Sequence, residues 1–307
     1  MEKRGAFYTG KGPYHRPVRL FLFLLAAVTS SAQLPEVRLT PREATLRIVV
    51  VGDTGNGTDA VAKGISKVHA EKPLDAILLT GDNFYPCGVT SVKDPRWDLV
   101  RPLTGIGAPV FPTLGNHDYC GNADPDAQIR ATGLIPNWRF PAREYAVRSP
   151  AADFLFVETT PYVKGRASPI ATTIRSSFRK TPKTKWRVVV GHHPVISSGY
   201  HGYRPKNEVQ KMRDLIPALR DARVDFYICG HDHHLELIRG RLLHLISGAG
   251  SAPIPPLKLR LTTVYPSEIR LEPIGFAVVE ITSRAIRVRM YDGEGKARTE
   301  WVEGRGR

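Results

Sequence analysis

Carboxylate, phenol, amide and imidazole side chains recur in five short motifs along this 307-residue chain. Each motif begins with glycine and follows an apolar run. Carboxylate and phenolate oxygens suit a hard trivalent metal ion, whereas imidazole and amide groups suit a divalent first-row metal. The combination favours a site for two metals of unequal hardness. The motifs are Gly52-Asp53-Thr54-Gly55, Gly81-Asp82-Asn83-Phe84-Tyr85, Gly115-Asn116-His117-Asp118, Gly191-His192-His193-Pro194 and Gly230-His231-Asp232-His233-His234.

Each of these motifs is a weak indication when taken alone. A Gly-Asp pair after a strand is usually a simple turn, and Gly-Asn-His-Asp is also typical of a helix cap or a hydrogen-bonded loop. Their order matters more, because all five follow runs that predict strands. In open α/β sheets, ligands bind beyond the C-terminal ends of the strands. Five strand ends would therefore bring these side chains to a common rim.

The apolar runs predict strands that are covered on both faces, because they are rich in valine, isoleucine and leucine and barely alternate with polar residues. Helical patterns lie between several of them, at Thr58–His69, Pro95–Leu103 and Asn207–Arg220. This alternation predicts an α/β sandwich, with a proline-rich surface loop at 252–266. The predicted strands are Leu46–Val51, Ala76–Leu79, Val110–Leu114, Phe154–Val157, Arg187–Val190, Val224–Cys229, Leu242–Ile246, Phe276–Ile281 and Ile286–Tyr291, the last two forming a hairpin.

The ordered motifs resemble the signature of the calcineurin-like metallophosphoesterases, which reads GD, GD, GNH, GH and GHxH. More narrowly, the chain resembles the purple acid phosphatases, above all the small tartrate-resistant type, because Tyr85 follows Asp82 by three residues. Other metallophosphoesterases normally lack this tyrosine. The resemblance extends from about Leu46 to Gly295. It implies a four-layer αββα sandwich of two mixed β-sheets flanked by helices.

The resemblance also implies a dinuclear acid phosphatase that hydrolyses phosphate monoesters. Two ions per chain would clamp the phosphate, and a metal-bound hydroxide would attack phosphorus in line. One ion would be Fe(III), and the other would be divalent iron, zinc or manganese. The implied ligands are Asp53, Tyr85 and His233 for Fe(III), Asp82 as the bridge, and Asn116, His192 and His231 for the divalent ion.

Two histidines are expected to do acid–base work at the same site. His117 follows ligand Asn116 directly and should point into the same pocket. His201 lies nine residues after His192, where the small purple acid phosphatases carry a second pocket histidine, although a surface-loop histidine is the alternative. We expect both imidazoles to bind phosphate and protonate the leaving group. Asp118 is expected to orient His117.

Two histidines and three cysteines close to the motifs are not assigned as ligands. We expect His193 and His234 to support the ligands or line the rim of the site. Cys87 and Cys120 each follow a ligand motif on loops that should lie close together, so a disulfide between them is a hypothesis. Cys229 lies in an apolar run and is expected to be a small buried hydrophobe.

The N-terminus predicts export of the protein. The apolar run Leu20–Val28 is shorter than the roughly 20 residues that span a bilayer, and arginines precede it. Small residues follow, so residues 1–32 are expected to form a signal peptide that is cut after Ala32. The alternative is an uncleaved signal anchor. We therefore expect one catalytic domain at 33–307 in a secreted or periplasmic protein.

Lysine and arginine outnumber acidic residues by 44 to 29, which gives a formal net charge of +15. Such an excess suits anionic substrates, nucleic acid or an anionic surface, and it also keeps a protein soluble. Because no recognised nucleic-acid-binding motif is present in the sequence, we expect small phosphate esters as substrates, with longer polyanions as further candidates. No stable membrane insertion is expected after signal cleavage, and the sequence leaves the oligomeric state open.

Two other functions are compatible with the motifs. A phosphodiesterase or nucleotidase of the same superfamily would use zinc or manganese on the same ligands. A binding or scaffold protein would keep the fold and lose catalysis, but such a protein should also have lost ligands. All seven expected ligands are present, so we favour an enzyme.

Overall fold

The computed structural model describes residues 34–203, 208–251, 267–270 and 273–305. The predicted signal peptide at 1–32 and the predicted loop at 252–266 lie outside these ranges. Within the described ranges, no helix is both long enough and apolar enough to cross a membrane.

Two mixed β-sheets form the centre of the described structure. In chain order, the strands are β1 Glu36–Arg38, β2 Leu46–Val51, β3 Ala76–Leu79, β4 Val110–Pro112, β5 Tyr145–Arg148, β6 Ala152–Phe156, β7 Trp186–Val190, β8 Phe226–Cys229, β9 Leu235–Ile238, β10 Leu243–Ser247, β11 Ser267–Arg270, β12 Gly275–Ile281, β13 Ala285–Asp292 and β14 Ala297–Gly304. Among the described residues, one sheet has six strands in the order β14-β13-β12-β2-β3-β4, and the other has eight in the order β1-β5-β6-β7-β8-β10-β9-β11.

The strands that lead into the ligand motifs run parallel to their neighbours. In the six-stranded sheet, β2, β3 and β4 pair in parallel. In the eight-stranded sheet, β6, β7, β8 and β10 do the same. Antiparallel pairs complete both sheets, including the predicted β12–β13 hairpin, so the expected mixed character is confirmed.

Short helices and 3-10 turns connect the strands. The helices are α1 Asp59–Glu71, α2 Arg101–Thr104, α3 Pro125–Arg130, α4 Thr160–Val163, α5 Ile170–Ser177, α6 Tyr200–Tyr203, α7 Glu208–Met212 and α8 Ile216–Asp221, and the 3-10 turns are Pro95–Val100, His117–Tyr119 and Arg213–Leu215. The helix predicted at Asn207–Arg220 is therefore interrupted. Its last part restarts at Ile216 with Pro217 in the first turn, where the missing N–H costs no hydrogen bond.

Alternation along the eight-stranded sheet produces two separate apolar layers. Phe154, Val188 and Phe226 belong to the larger core cluster that also contains the strands of the six-stranded sheet. Their neighbours Leu155 and Val189 pack in a second cluster with residues of α5 and α8. Because successive strand residues point to opposite faces, the sheet is covered on both sides. Together with α1 against β12 and β13, this confirms the predicted layering of helices outside two sheets.

Candidate metal centre

The two sheets contribute different donor atoms to one site. The six-stranded sheet supplies the oxygen donors, since Asp53 follows β2, Asp82 and Tyr85 follow β3, and Asn116 follows β4. The eight-stranded sheet supplies the imidazoles, since His192 follows β7 and both His231 and His233 follow β8. Parallel strands end at the same edge of a sheet, so the loops after them meet.

The backbone at three of these positions adopts the left-handed conformation that non-glycine residues seldom use. The φ angles are 59° at Asp53, 54° at Asp82 and 70° at His231. Such conformations persist only where the surrounding structure enforces them, and they cluster at functional sites. The motif glycines allow the loops to pack this tightly. A Cβ on Gly115 would lie 2.1 Å from Oδ1 of Asp82, and one on Gly230 would lie 2.5 Å from Oδ2 of Asp53.

A first set of donor atoms converges around the phenol oxygen of Tyr85. This oxygen lies 3.2 Å from each of Asp53 Oδ1, Asp82 Oδ2 and His233 Nε2. His233 Nε2 in turn lies 3.3 Å from Asp53 Oδ1. One phenol proton serves one acceptor at a time. Hydrogen bonding alone therefore does not explain why four potential metal-ligand atoms converge here. A hard cation fits this set.

A second set converges around His192. Its Nδ1 lies 2.8 Å from the carbonyl oxygen of Thr80, which only accepts, so Nδ1 carries the ring proton. Nε2 therefore presents a lone pair, yet it faces Asn116 Oδ1 at 3.1 Å and Asp82 Oδ1 at 3.5 Å. Nδ1 of His231 lies 3.1 Å from the same Nε2. Lone pairs that face one another fit a cation between them.

Asp82 belongs to both sets, because one carboxylate oxygen faces each of them. The structure thus brings all seven expected ligands together in two groups that share this carboxylate. Three of them, Asp53, Asp82 and His192, also form a buried cluster whose ligand atoms lie within 4.8 Å of one another. The arrangement fits two bridged cations.

Burial shapes the electrostatics of the site. Burial, followed by the charges of Asp53 and Asp82, raises the pKa of the Tyr85 phenol far above its ordinary value. Burial, followed by the neighbouring imidazoles, lowers the pKa of His231 well below its ordinary value, which favours the neutral ring that ligates metals. A bound cation would reverse the preference at Tyr85, because positive charge stabilises phenolate.

His117 lies at the open side of the site. Its backbone N–H donates to Asp82 Oδ1 at 2.9 Å, and its half-exposed ring packs edge-on against Tyr85. Nδ1 lies 2.7 Å from the carbonyl oxygen of Pro86 and therefore carries a proton. Nε2, which lies 4.0 Å from Asp82 Oδ2, is left facing the site.

The expectation that Asp118 orients His117 is wrong, because Pro86 takes that role. The fully buried Asp118 carboxylate instead accepts the backbone N–H groups of Gly115 and Asn83 and the side-chain amide of Gln128. Burial, followed by the charge of Asp82, raises the pKa of Asp118 to about 7. Asp118 thus supports the two loops that carry Asp82 and Asn116.

His201 lies beside the ligand loop, with its ring centroid 4.0 Å from that of His231. Its backbone N–H donates to Asp232 Oδ1 at 3.1 Å, and the other oxygen of Asp232 accepts the hydroxyl of Ser197. The ring contact with His231 favours a pocket histidine over the alternative of a surface-loop histidine. His201 Nδ1 also lies 3.7 Å from Glu208 Oε2.

A buried polar pair supports the loop that carries His201. His234 Nε2 lies 3.0 Å from Glu236 Oε2, and both side chains are fully buried. The same carboxylate oxygen accepts the backbone N–H of Ser198 at 3.0 Å. His234 is thus a loop support and does not line a rim. Glu236 is not predicted from the sequence, where its signal is an acid within the otherwise apolar run Leu235–Ile238.

His193 is fully buried rather than half-exposed at a rim. It lines a cavity of about 300 Å³ at the site, together with residues from four other segments. Burial, followed by nearby imidazoles, lowers the pKa of His193 well below its ordinary value. The cavity is lined by Pro86, Asn116, His117, Cys120, Val163, Lys164, His193 and Glu208.

The hypothesis of a Cys87–Cys120 disulfide is confirmed by the structure, which joins the two cysteines across 33 residues. The bridge ties the loop after Tyr85 to the loop after Asn116. Cys229 is a free, fully buried thiol, as expected.

A family model described as calcineurin-like phosphoesterase matches residues 46–235. Purple acid phosphatase 3 of Arabidopsis thaliana is 27% identical over 326 residues, covering 94% of this chain and 87% of the relative. Tartrate-resistant acid phosphatase type 5 of Sus scrofa is 30% identical over 295 residues, covering 82% and 85%. Among solved structures, GAP50, the anchor in the inner membrane complex of Plasmodium, matches with a TM-score of 0.71 at 24% identity, covering 86% of this chain and 90% of that one. This structural likeness shows the fold alone.

Proposed function

Because the chain belongs to the calcineurin-like phosphoesterase family, with purple acid phosphatases among its relatives, we propose that it is a dinuclear-metal acid phosphatase acting on phosphate monoesters. The observation that carries this proposal is the pair of donor sets that share the Asp82 carboxylate. A scaffold protein that had lost catalysis would have no need to keep seven converging donors.

We propose that the oxygen-rich set holds Fe(III) and that the imidazole-rich set holds divalent iron, zinc or manganese. When bound, the ions would polarise the phosphate and make water acidic enough to act as the nucleophile. The proposed ligands are Asp53, Tyr85 and His233 for Fe(III), Asp82 as the bridge, and Asn116, His192 and His231 for the divalent ion.

The pocket histidines perform the proton transfers in this proposal. Pro86 fixes the ring of His117, and Nε2 is then available to hold a proton for a phosphate oxygen or for the leaving oxygen. Asp232 holds the backbone of His201 beside the ligand loop, where its ring can bind the same phosphoryl group. Proton donation to the leaving alkoxide removes the charge that develops as its bond to phosphorus breaks.

The first experiment combines metal analysis with turnover of an aryl phosphate monoester at acidic pH. We expect the unsubstituted protein to hold two metals per chain. Asp82→Asn should hold less metal, and its turnover should be lower by a factor on the order of 10² or more. Asp153→Asn is the matched control, since Asp153 is a buried carboxylate that pairs with Lys185 away from the site. Equal turnover by Asp82→Asn and the unsubstituted protein would contradict the proposal.

A phosphodiesterase or nucleotidase using zinc or manganese is the second candidate, and the excess of basic residues favours it because longer polyanions would be attracted. Rates for an aryl monoester and the matching bis-aryl diester separate the monoesterase from the phosphodiesterase. A clear preference for the diester would overturn the monoesterase.

We further propose that residues 1–32 direct the protein to a secreted or periplasmic location and that 33–307 is the catalytic domain. The support is the charged, apolar and small-residue order of this segment. Sequencing the N-terminus of exported protein tests this, with Gln33 as the expected first residue. An intact N-terminus in a membrane fraction would favour the signal anchor.

A further inference from the structure

His193 is buried and hydrogen-bonded beside the candidate metal centre although it belongs to neither donor set. Its side chain is fully buried. Its carbonyl oxygen accepts the hydroxyl of Tyr227 at 2.8 Å, and its backbone N–H donates to Thr159 Oγ1 at 3.2 Å. A buried polar side chain with this much support calls for a purpose at its remaining polar atom.

The contacts of Thr159 fix the tautomer of the His193 ring. Thr159 Oγ1 accepts the backbone N–H of His193 and lies 2.8 Å from its Nδ1. Among the described residues, the hydroxyl hydrogen of Thr159 makes no other hydrogen bond, so it points at Nδ1. The neutral ring then carries its own proton on Nε2, which becomes a donor.

This donor has no partner within the described part of the protein. The ring lines the cavity beside Asn116 and His117, and its centroid lies 4.4 Å from that of His231. A ring nitrogen of His193 lies within 4.8 Å of nitrogens of both His192 and His231. The ring that carries the unsatisfied N–H therefore borders the cavity in which the phosphoryl group of a substrate would bind.

We propose that His193 is a further substrate-contacting residue whose Nε2–H donates a hydrogen bond to a phosphoryl oxygen. This inference rests on the proposed function, since it assigns a role within the same pocket. A buried donor left without an acceptor costs free energy, and an anionic oxygen is the acceptor that satisfies it best. Thr159 is the positioning residue that directs this donor.

Metal ligation is the competing role, because the three imidazoles of His192, His193 and His231 lie close enough to hold an ion together. The tautomer argues against it, since a protonated Nε2 has no lone pair to give. Metal content therefore distinguishes the two roles.

Two substitutions mimic one ring nitrogen each. His193→Gln places an amide where Nε2 lies and loses the contact with Thr159, whereas His193→Asn places an amide near Nδ1 and loses the donor to the cavity. The probe is inorganic phosphate, titrated calorimetrically into the metal-loaded protein. We expect His193→Asn to bind phosphate about tenfold more weakly, while His193→Gln stays within about threefold of the unsubstituted protein, and both keep two metals per chain.

The proposal is overturned if phosphate affinity is unchanged in His193→Asn, if His193→Gln loses as much affinity as His193→Asn, or if His193→Asn loses a metal. Thermal melting of both variants identifies a misfolded one. In that case a comparison of Thr159→Val with Thr159→Ser repeats the test, and weaker phosphate binding is expected only for Thr159→Val.

Absence of monoester turnover in the unsubstituted protein would count against the proposed function. Phosphate binding is measured without turnover, so the two failures are distinguishable.

Discussion

The phenol oxygen of Tyr85 lies 3.2 Å from Oδ1 of Asp53, which is 32 residues earlier in the chain. Burial and two carboxylates make the phenolate unfavourable in the protein alone, so the contact is stable as an ionised pair only beside a cation. The narrower part of the proposed function, an Fe(III) ion, depends on this phenol.

Tyr85→Phe is expected to abolish the visible charge-transfer band of the purified protein, because the band requires phenolate donation to Fe(III). The absorption spectrum and metal content of the variant check this. Tyr145→Phe is the control, since Tyr145 is a buried tyrosine whose hydroxyl donates to the carbonyl oxygen of Pro112 away from the site. A colourless, fully active protein containing only zinc or manganese would refute the iron assignment and leave the phosphoesterase intact.

Gly115→Ala is expected to displace Asp82, because the added Cβ would lie 2.1 Å from its Oδ1. Displacement of the proposed bridging carboxylate should lower the metal content below two per chain. It should also lower the turnover by a factor on the order of 10². Elemental analysis and kinetics measure both. Gly304→Ala, where a Cβ meets nothing within 4 Å, should change neither.

Glu236→Ala is expected to destabilise the folded protein by about 3 kcal/mol or more, because it removes one partner of a fully buried pair. Turnover should fall as well, since Ser198 loses its acceptor in the loop that carries His201. The double variant His234→Asn/Glu236→Gln should recover part of the free energy of unfolding, because two neutral amides replace the pair.

Denaturant unfolding measures the effect of Glu236→Ala. Glu300→Ala serves as the control, because Glu300 pairs with Arg289 on an edge strand, where the change should stay below about 1 kcal/mol. Equal effects of the two substitutions would show that the buried His234–Glu236 pair contributes no more to the free energy of unfolding than an exposed ion pair does.

The contacts of Asp94 are expected to stabilise the folded protein at neutral pH and to lose part of this effect in acid. Hydrogen bonds from Arg96, aided by the N–H of Thr90, hold the pKa of the Asp94 carboxyl well below its ordinary value. A carboxyl with a lowered pKa stabilises the fold above its unfolded pKa of about 3.9 and loses this contribution as the pH falls further. The melting temperature of the unsubstituted protein should therefore exceed that of Asp94→Asn at pH 6, and the difference should shrink at pH 3.

Asp98→Asn provides the comparison for Asp94, because Asp98 is an exposed carboxylate in the same turn that pairs with Arg101. Its effect on the melting temperature should be small at every pH. A difference for Asp94→Asn that stays constant from pH 6 to pH 3 would contradict the linkage.

The central strands could be predicted closely from the sequence. The bounds of β2 and β3 match the apolar runs Leu46–Val51 and Ala76–Leu79, because a strand buried on both faces is a continuous apolar segment. Strand β14 was missed, since it lies at a sheet edge where exposed and half-buried residues alternate and charged side chains are common. It pairs with β13 as a hairpin across the turn at 293–296, which contains Gly293 and Gly295.

The donor residues of the site could also be predicted, because each lies within a few residues of a strand end. The residues that support these ligands could not be predicted. Asp118 follows His117 directly, but the 3-10 turn at His117–Tyr119 directs the two side chains to different partners. The pairing of His193 with Thr159 joins residues 34 positions apart, and no spacing rule connects them.

The division of donors between the two sheets has a consequence for the order of assembly. Oxygen donors follow one sheet and imidazoles follow the other, and 178 residues separate the contacting pair Asp53 and His231. Neither sheet alone offers a complete set, so tight metal capture has to wait until the two layers have docked. The time course of metal uptake during refolding would thus report when the two sheets dock. The bound ions would then join the two layers as a cross-link does.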